Sequence, residues 1–191
     1  HLVKKHFDYS VLASRIVVSN HHKNTSDYFS DIILTLKDQD YLDEALVKLV
    51  EENKDMIDKI PDHSRDYLLD YFGFKTLEKS YLFRTGGKVI ERPQYMWLRV
   101  ALCIHGNDWD NVKTCYELMS TKCFTHATPT LYHAGLKRPQ LSSCFLLGTE
   151  DSVDGIFSTI GDVAKISKWA GGIGLHIGNI RCRNSFIRKK Y

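Results

Sequence analysis

The sequence predicts a mainly α protein: an α-rich first part with one short β-hairpin, then a strand–helix–strand unit. Three observations predict it. Apolar residues recur at helical spacing through most of residues 1–123. One Gly86–Gly87 pair sits inside a short apolar stretch, the signature of a hairpin turn. From Phe124 onward, short apolar runs flank a single helical stretch, the order that places neighbouring strands parallel.

The elements follow in order. Residues 9–22 carry Val11, Leu12, Ile16 and Val18 near helical spacing. Thr25 or Ser26 is placed to cap the next helix, whose stripe is Phe29, Ile32, Ile33 and Leu36. Residues 43–60 put Leu46, Leu49, Val50 and Ile57 on one face, with Glu and Lys opposite. Pro61, which lacks an N–H, ends that run. Residues 80–91 hold Tyr81, Leu82 and Phe83, the glycine pair, then Val89 and Ile90, and read as the hairpin. Pro93 suits the first turn of a helix over 94–104. Asp108 is placed to cap another, with Val112, Cys115, Tyr116 and Met119 as its buried stripe. The character changes near 122–128, dividing the chain into 1–123 and 124–191. Beyond that line, 143–147 and 173–177 read as strands around a helix over 154–169. There is no internal repeat and no low-complexity segment.

The 191 residues suffice for one good core or a domain and a half. An apolar content of 43% with 26% charge is that of a globular, water-soluble chain. No run approaches the roughly 18–20 apolar residues of a membrane span. His1, Lys4, Lys5 and His6 are not followed by an apolar stretch, so no signal peptide is visible. Starting at His1 rather than Met, the chain reads as trimmed upstream. A net charge of +3 is too small to argue for nucleic acid. Arg188, Lys189 and Lys190 read as a solvated tail. Five cysteines (Cys103, Cys115, Cys123, Cys144 and Cys182) without a secretory signal indicate a reducing, cytoplasmic compartment.

Each candidate site has an ordinary structural reading beside it. Cys103, His105, Cys123 and His126, with Cys115 between, suggest zinc. Yet zinc needs about four converging ligands, and no spacing here is a C-x-x-C knuckle. The cysteines read first as core, and no metal is expected. Gly171, Gly172 and Gly174 follow a helix and precede a strand, the reverse of a phosphate-binding loop. A helix C-cap and tight turn is the first reading, close approach of backbone to a ligand the second. Asp151, Ser152 and Asp154 open a helix as caps. Cys144, beside Ser142 and Ser143 at the start of a strand, reads from its neighbours alone as structural.

Two stretches change that balance. Ala127-Thr128-Pro129-Thr130-Leu131-Tyr132-His133-Ala134-Gly135, then Arg138-Pro139-Gln140-Leu141-Ser142-Ser143-Cys144-Phe145-Leu146-Leu147, resemble the substrate-site segment of the class I ribonucleotide reductase large subunit. The likeness continues through Ser167-Lys168-Trp169-Ala170-Gly171-Gly172-Ile173-Gly174. It extends backward to Asp8-Tyr9-Ser10-Val11 and Tyr71-Phe72-Gly73-Phe74, covering most of the chain.

The resemblance implies an all-α domain followed by the first elements of a ten-stranded α/β barrel. It implies reduction of ribonucleoside diphosphates for DNA precursor synthesis by thiyl-radical chemistry, with Cys144 one member of a cysteine pair that becomes a disulfide. It implies substrate contacts at Thr128, Ser143, Cys144 and Gly172. A dNTP or ATP effector, with Mg, would meet Asp151, Ser152, Val153, Lys168 and Arg181. Further implied are a homodimer through the helix 154–169, a small metal-containing subunit that delivers the radical, and neither nucleic acid nor membrane as partner.

The radical cysteine, the partner of Cys144 and the other acid–base residues lie further along that family's sequence, so this chain alone is expected to be inactive and to bind no cofactor. Where the family usually has Gly before Ser185 this chain has Asn184, and the family's glycine-rich stretch after Ile187 is replaced here by the basic run Arg188-Lys189-Lys190. A non-catalytic interaction or regulatory module of the same family is the alternative. A barrel begun but not closed leaves strand edges unpaired. Residues 124–191 are therefore expected to be poorly ordered, rearranged or covered by another chain.

Overall fold

The computed structural model describes residues 4–6, 8–169 and 171–186. Arg188, Lys189, Lys190 and Ala170 lie outside them. The chain forms two units, His1–Pro139 and Gln140–Tyr191.

In the first unit the described residues form α1 (Asp8–Lys23), α2 (Phe29–Lys37), α3 (Glu44–Ile57), a 3-10 turn at His63–Leu68 and α4 (Tyr71–Ser80). The hairpin β1 (Arg84–Thr85) and β2 (Lys88–Val89) follows, then α5 (Pro93–His105), α6 (Trp109–Ser120) and α7 (Thr128–His133). The expected stripes of α2, α3 and α6 are buried. Asp43 and Asp108 cap α3 and α6 by accepting from Ala45 N and Asn111 N. Gly86 and Gly87 both take positive φ, +53° and +79°, as a two-residue hairpin loop of this hand demands.

The core is built round α5, in which every residue from Pro93 to Leu102 is buried. That includes Arg99, which with Glu91 is wholly buried. The guanidinium meets both carboxylate oxygens, Nε–Oε1 at 2.7 Å and Nη2–Oε2 at 3.1 Å. It also donates to the carbonyls of Ala134 and Leu131 at 2.5 and 3.2 Å. Glu91 accepts in turn from Phe83 N at 2.9 Å. One charged pair thus ties the hairpin, α5 and α7 together, with each nitrogen of the guanidinium engaged.

Three expectations are corrected. First, of the expected α1 stripe only Val18 is buried; Val11, Leu12 and Ile16 lie exposed, and Ser14 and His21 face inward beside Val18. Specific polar contacts decide this: Ser14 Oγ donates to Leu69 O, and a ring nitrogen of His21 is 3.0 Å from Glu91 O. Second, neither Thr25 nor Ser26 caps α2. Its N-cap is Tyr28, without a side-chain cap. The Thr25 hydroxyl is engaged with His21 O and Arg92 Nε, and Ser26 Oγ donates to Asp31. Third, residues 124–139 belong with the helical unit rather than with the strand–helix–strand unit. Leu131 and Ala134 are buried there, and Asp43 N donates to Gly135 O at 3.0 Å. Gly135 (φ +84°) runs so close to Leu46 that a Cβ would stand 2.6 Å from its methyl.

His21 and His63 carry depressed pKa values, each chiefly because burial disfavours the charged ring. The unfolded chain takes up protons near the ordinary histidine value of about 6.5, whereas the fold resists until lower pH. Stability from these groups is therefore complete above about pH 6.5 and is lost as pH falls below it. The urea midpoint is expected to drop between pH 7.5 and 5.5, and less so in His21→Gln. A midpoint constant across that interval would refute this.

The second unit consists of β3 (Cys144–Gly148), α8 (Val153–Lys168) and β4 (Gly172–His176). β3 and β4 pair in parallel, the right order for a strand–helix–strand crossover.

Candidate active site

The parallel register sets the geometry around Cys144. Cys144 stands opposite Gly172, Leu146 opposite Gly174 and Gly148 opposite His176. Gly172 N donates to Ser143 O at 2.9 Å, anchoring the two strand starts. Side chains alternate along β3. Phe145 and Leu147 are half-buried on the α8 side, with Phe145 near the Ile166 methyl at Gly171. Cys144 and Leu146 are exposed on the opposite face, Leu146 at 89%. Ser143 Oγ lies 3.6 Å from the Cys144 sulfur, and the thiol is free.

Gly171 N donates to Ile166 O at 3.2 Å and so closes the end of α8, but none of Gly171, Gly172 and Gly174 takes a positive φ. Among the described residues, positive φ at glycine is confined to Gly86, Gly87, Gly106 and Gly135. α8 ends on Trp169 at φ −99°, and Gly172 and Gly174 lie within β4. Their role is space. A Cβ at Gly172 would stand 3.1 Å from Ser143 O, and one at Gly174 would stand 2.8 Å from a Leu146 methyl. Their absence leaves the face beside Cys144 uncovered by side chains from β4.

At the other end of β3, Ser152 caps α8 by accepting from Gly155 N at 3.0 Å. Asp151 precedes it, and Arg181 closes on Asp151: Nε to Oδ2 at 2.6 Å and Nη2 to the carbonyl at 3.3 Å. The same guanidinium donates to Phe186 O at 3.1 Å. Asp151, Ser152, Val153 and Arg181 thus come together. Lys168 does not join them: it ends α8, fifteen residues or roughly 22 Å along the axis from Val153. Thr128 lies in the first unit, at the first position of α7, with its hydroxyl 3.1 Å from the Tyr81 hydroxyl.

Cys115 is buried on α6, and burial pushes its thiol pKa up. Among the described residues no group of three or more His, Cys, Asp or Glu converges as a metal site. No described helix is long and apolar enough to cross a membrane.

Comparison with known proteins gives the family. Residues 67–139 match the family model described as "Ribonucleotide reductase, all-alpha domain", and residues 142–190 match "Ribonucleotide reductase, barrel domain". Ribonucleoside-diphosphate reductase large chain 2 of Saccharomyces cerevisiae is 48% identical over 95% of this chain. The large subunits of Plasmodium falciparum and Arabidopsis thaliana are 47% and 48% identical over 98% and 96% of it. The chain belongs to the ribonucleotide reductase large-subunit family.

The chain spans 22–24% of the length of these reductase relatives. The two reductase domain models adjoin near residue 140, where the two compact units divide. Sequence alone assigns Tyr81 only to the hairpin. In the structure it is the C-cap of α4 and touches Thr128. The signal available in sequence was weak: Thr128 and Tyr132 stand four apart, on one face of a short helix.

Proposed function

We propose that this chain supplies one redox thiol and part of the substrate cradle of a ribonucleoside-diphosphate reductase. The observation that carries the proposal is the parallel register at Cys144 and Gly172, which leaves a free thiol on an uncovered face beside Ser143. In the reaction, a thiyl radical formed elsewhere in the large subunit takes the ribose 3′ hydrogen. The 2′ hydroxyl leaves as water, a hydrogen replaces it, a dithiol gives two electrons and two protons to become a disulfide, and the 3′ hydrogen is returned to the sugar so that the thiyl radical is regenerated. Cys144 is one thiol of that pair. Thr128 and Ser143 offer hydroxyl or backbone hydrogen bonds to the nucleotide, and Gly172 offers backbone without a Cβ.

The residues around the start of α8 suit a dNTP or ATP effector with its Mg. Asp151 offers an acceptor for a sugar hydroxyl, and Arg181 a cation for phosphate. The outward stripe of α8 explains how Lys168 contributes. Val153, Phe157 and Ile160 are exposed at 72%, 67% and 55%, and Ala164 and Lys168 continue their line. Ile156, Val163 and Ile166 lie half-buried on another side. Two α8 helices packed antiparallel along that stripe bring one copy's Lys168 to the other copy's Asp151–Val153 end. Phe157→Glu is expected to weaken self-association of the full-length large subunit at least about tenfold, read by sedimentation equilibrium. Unchanged association would exclude this face. The remaining partner is the small, metal-containing, radical-generating subunit, and the compartment is the cytoplasm.

The test of function is CDP reduction by the full-length large subunit carrying this sequence, supplied with small subunit, dithiol and effector. Deoxycytidine diphosphate is the expected product, and its absence under all effectors would overturn the proposal.

A further inference from the structure

The first turn of α7 contains a contact that the reductase proposal leaves unused. Thr128 and Tyr132 stand four apart and so share a face of α7. Tyr81 lies against both. Its ring stacks on Tyr132 with centroids 4.6 Å apart and planes 13° from parallel. Its hydroxyl is 3.1 Å from Thr128 Oγ1. The Tyr81 backbone is itself held, donating to Leu77 O at 2.8 Å as the C-cap of α4. Tyr81 is half-buried whereas Thr128 is exposed, so the tyrosine is the framework and the threonine is the presented group.

We infer that Tyr81 is a positioning residue that fixes the Thr128 hydroxyl as a donor toward the bound nucleotide. A phenol is the stronger acid and donates to an aliphatic hydroxyl. Thr128 then accepts from Tyr81 through one lone pair and keeps its own proton for a second partner. A β-branched side chain has few χ1 wells, so one directed bond suffices to select its rotamer. A donor so fixed favours an acceptor-only ligand atom. In a ribonucleoside diphosphate the charged, acceptor-only atoms are the phosphate oxygens, which take the strongest bond from such a donor, whereas the ribose hydroxyls also donate. Tyr132 holds the phenol ring flat, so its hydroxyl arrives along one direction rather than sweeping past Thr128. The inference rests on the assignment of Thr128 to the substrate.

The test is a double-mutant cycle in the full-length large subunit with its small subunit, reading KM for CDP and kcat separately. Tyr81→Phe removes only the hydroxyl and is expected to raise KM about fivefold with kcat within about twofold, the scale of one directed hydrogen bond. Thr128→Val is expected to raise KM about tenfold, and the double variant no further than Thr128→Val alone. In a Thr128→Ser background, which restores the hydroxyl, Tyr81→Phe is again expected to cost about fivefold. A structural role for Tyr81 would not depend on whether residue 128 bears a hydroxyl. Effects of Tyr81→Phe and Thr128→Val that multiply, or a normal KM in Tyr81→Phe beside a raised one in Thr128→Val, would overturn the inference while leaving the reductase assignment standing. A normal KM in Thr128→Val would remove Thr128 from the substrate and the inference with it.

Discussion

Replacing Cys144 with serine is expected to lower ribonucleoside diphosphate reduction by the full-length large subunit at least about a hundredfold, because an alcohol cannot form or exchange a disulfide. The fold is expected to survive. Cys144 is exposed, and its side chain meets Ser143 Oγ at 3.6 Å. Serine nearly matches cysteine in size, and Gly172 opposite it presents no side chain to repack. The stability change is expected to lie within about 0.5 kcal/mol, as for other surface substitutions. Turnover of CDP with dithiol present, measured beside the thermal midpoint, checks both halves. A Cys144→Ser enzyme that keeps more than about a tenth of its activity would mean that this thiol is not the reductant.

The largest effect on stability is expected at the buried pair beneath α7. Glu91→Ala leaves the Arg99 guanidinium wholly buried without its carboxylate and strips Phe83 N of its acceptor. Breaking such a pair from one side costs about 3–5 kcal/mol, a large share of what an ordinary domain has to lose. Arg99→Leu is expected to be at least as damaging, because it also releases the carbonyls of Ala134 and Leu131. Replacing both partners with apolar residues, Glu91→Leu with Arg99→Met, is expected to recover much of the loss, since no charge is then left buried alone. Urea unfolding of each variant reads these changes. A cost below about 1 kcal/mol for Glu91→Ala would show that the pair is not stabilising the unit.

The helices with a continuous apolar stripe were legible in the sequence, and so was the hairpin, because Gly86–Gly87 admits few turns. α4 and α7 were not read from periodicity. Phe74 is the one buried residue of α4, and α7 is six residues long with Pro129 in its first turn. Neither presents a stripe long enough to establish a period. α1 misled for another reason. Its exposed Val11, Leu12 and Ile16 are more apolar than its buried Ser14 and His21, and that face is turned in by hydrogen bonds to Leu69 O and Glu91 O together with the packing of Val18 and of the His21 ring on Phe74. Charge patterning likewise gives no hint that Arg99 and Glu91 lie at the centre of the core, since such residues are mostly found at the surface.

At the site, the residue types near Cys144 were visible but their relation was not. Register is a pairing between segments some thirty residues apart, and a shift of one residue would have turned Cys144 toward α8. Of the glycines after α8, Gly171 closes the helix end by donating to Ile166 O, as a cap does, whereas Gly172 and Gly174 serve as clearance within β4, and local sequence does not distinguish the two roles.

Cys144 as the reductant is tested most directly by a single turnover without external dithiol. The full-length large subunit is reduced, freed of reductant, and mixed with small subunit, effector and CDP. Its thiols are then trapped by alkylation and mapped by mass spectrometry. Cys144 is expected in a disulfide, in about one copy for each deoxynucleotide formed. Deoxynucleotide formed while Cys144 is recovered as an alkylated free thiol would contradict it.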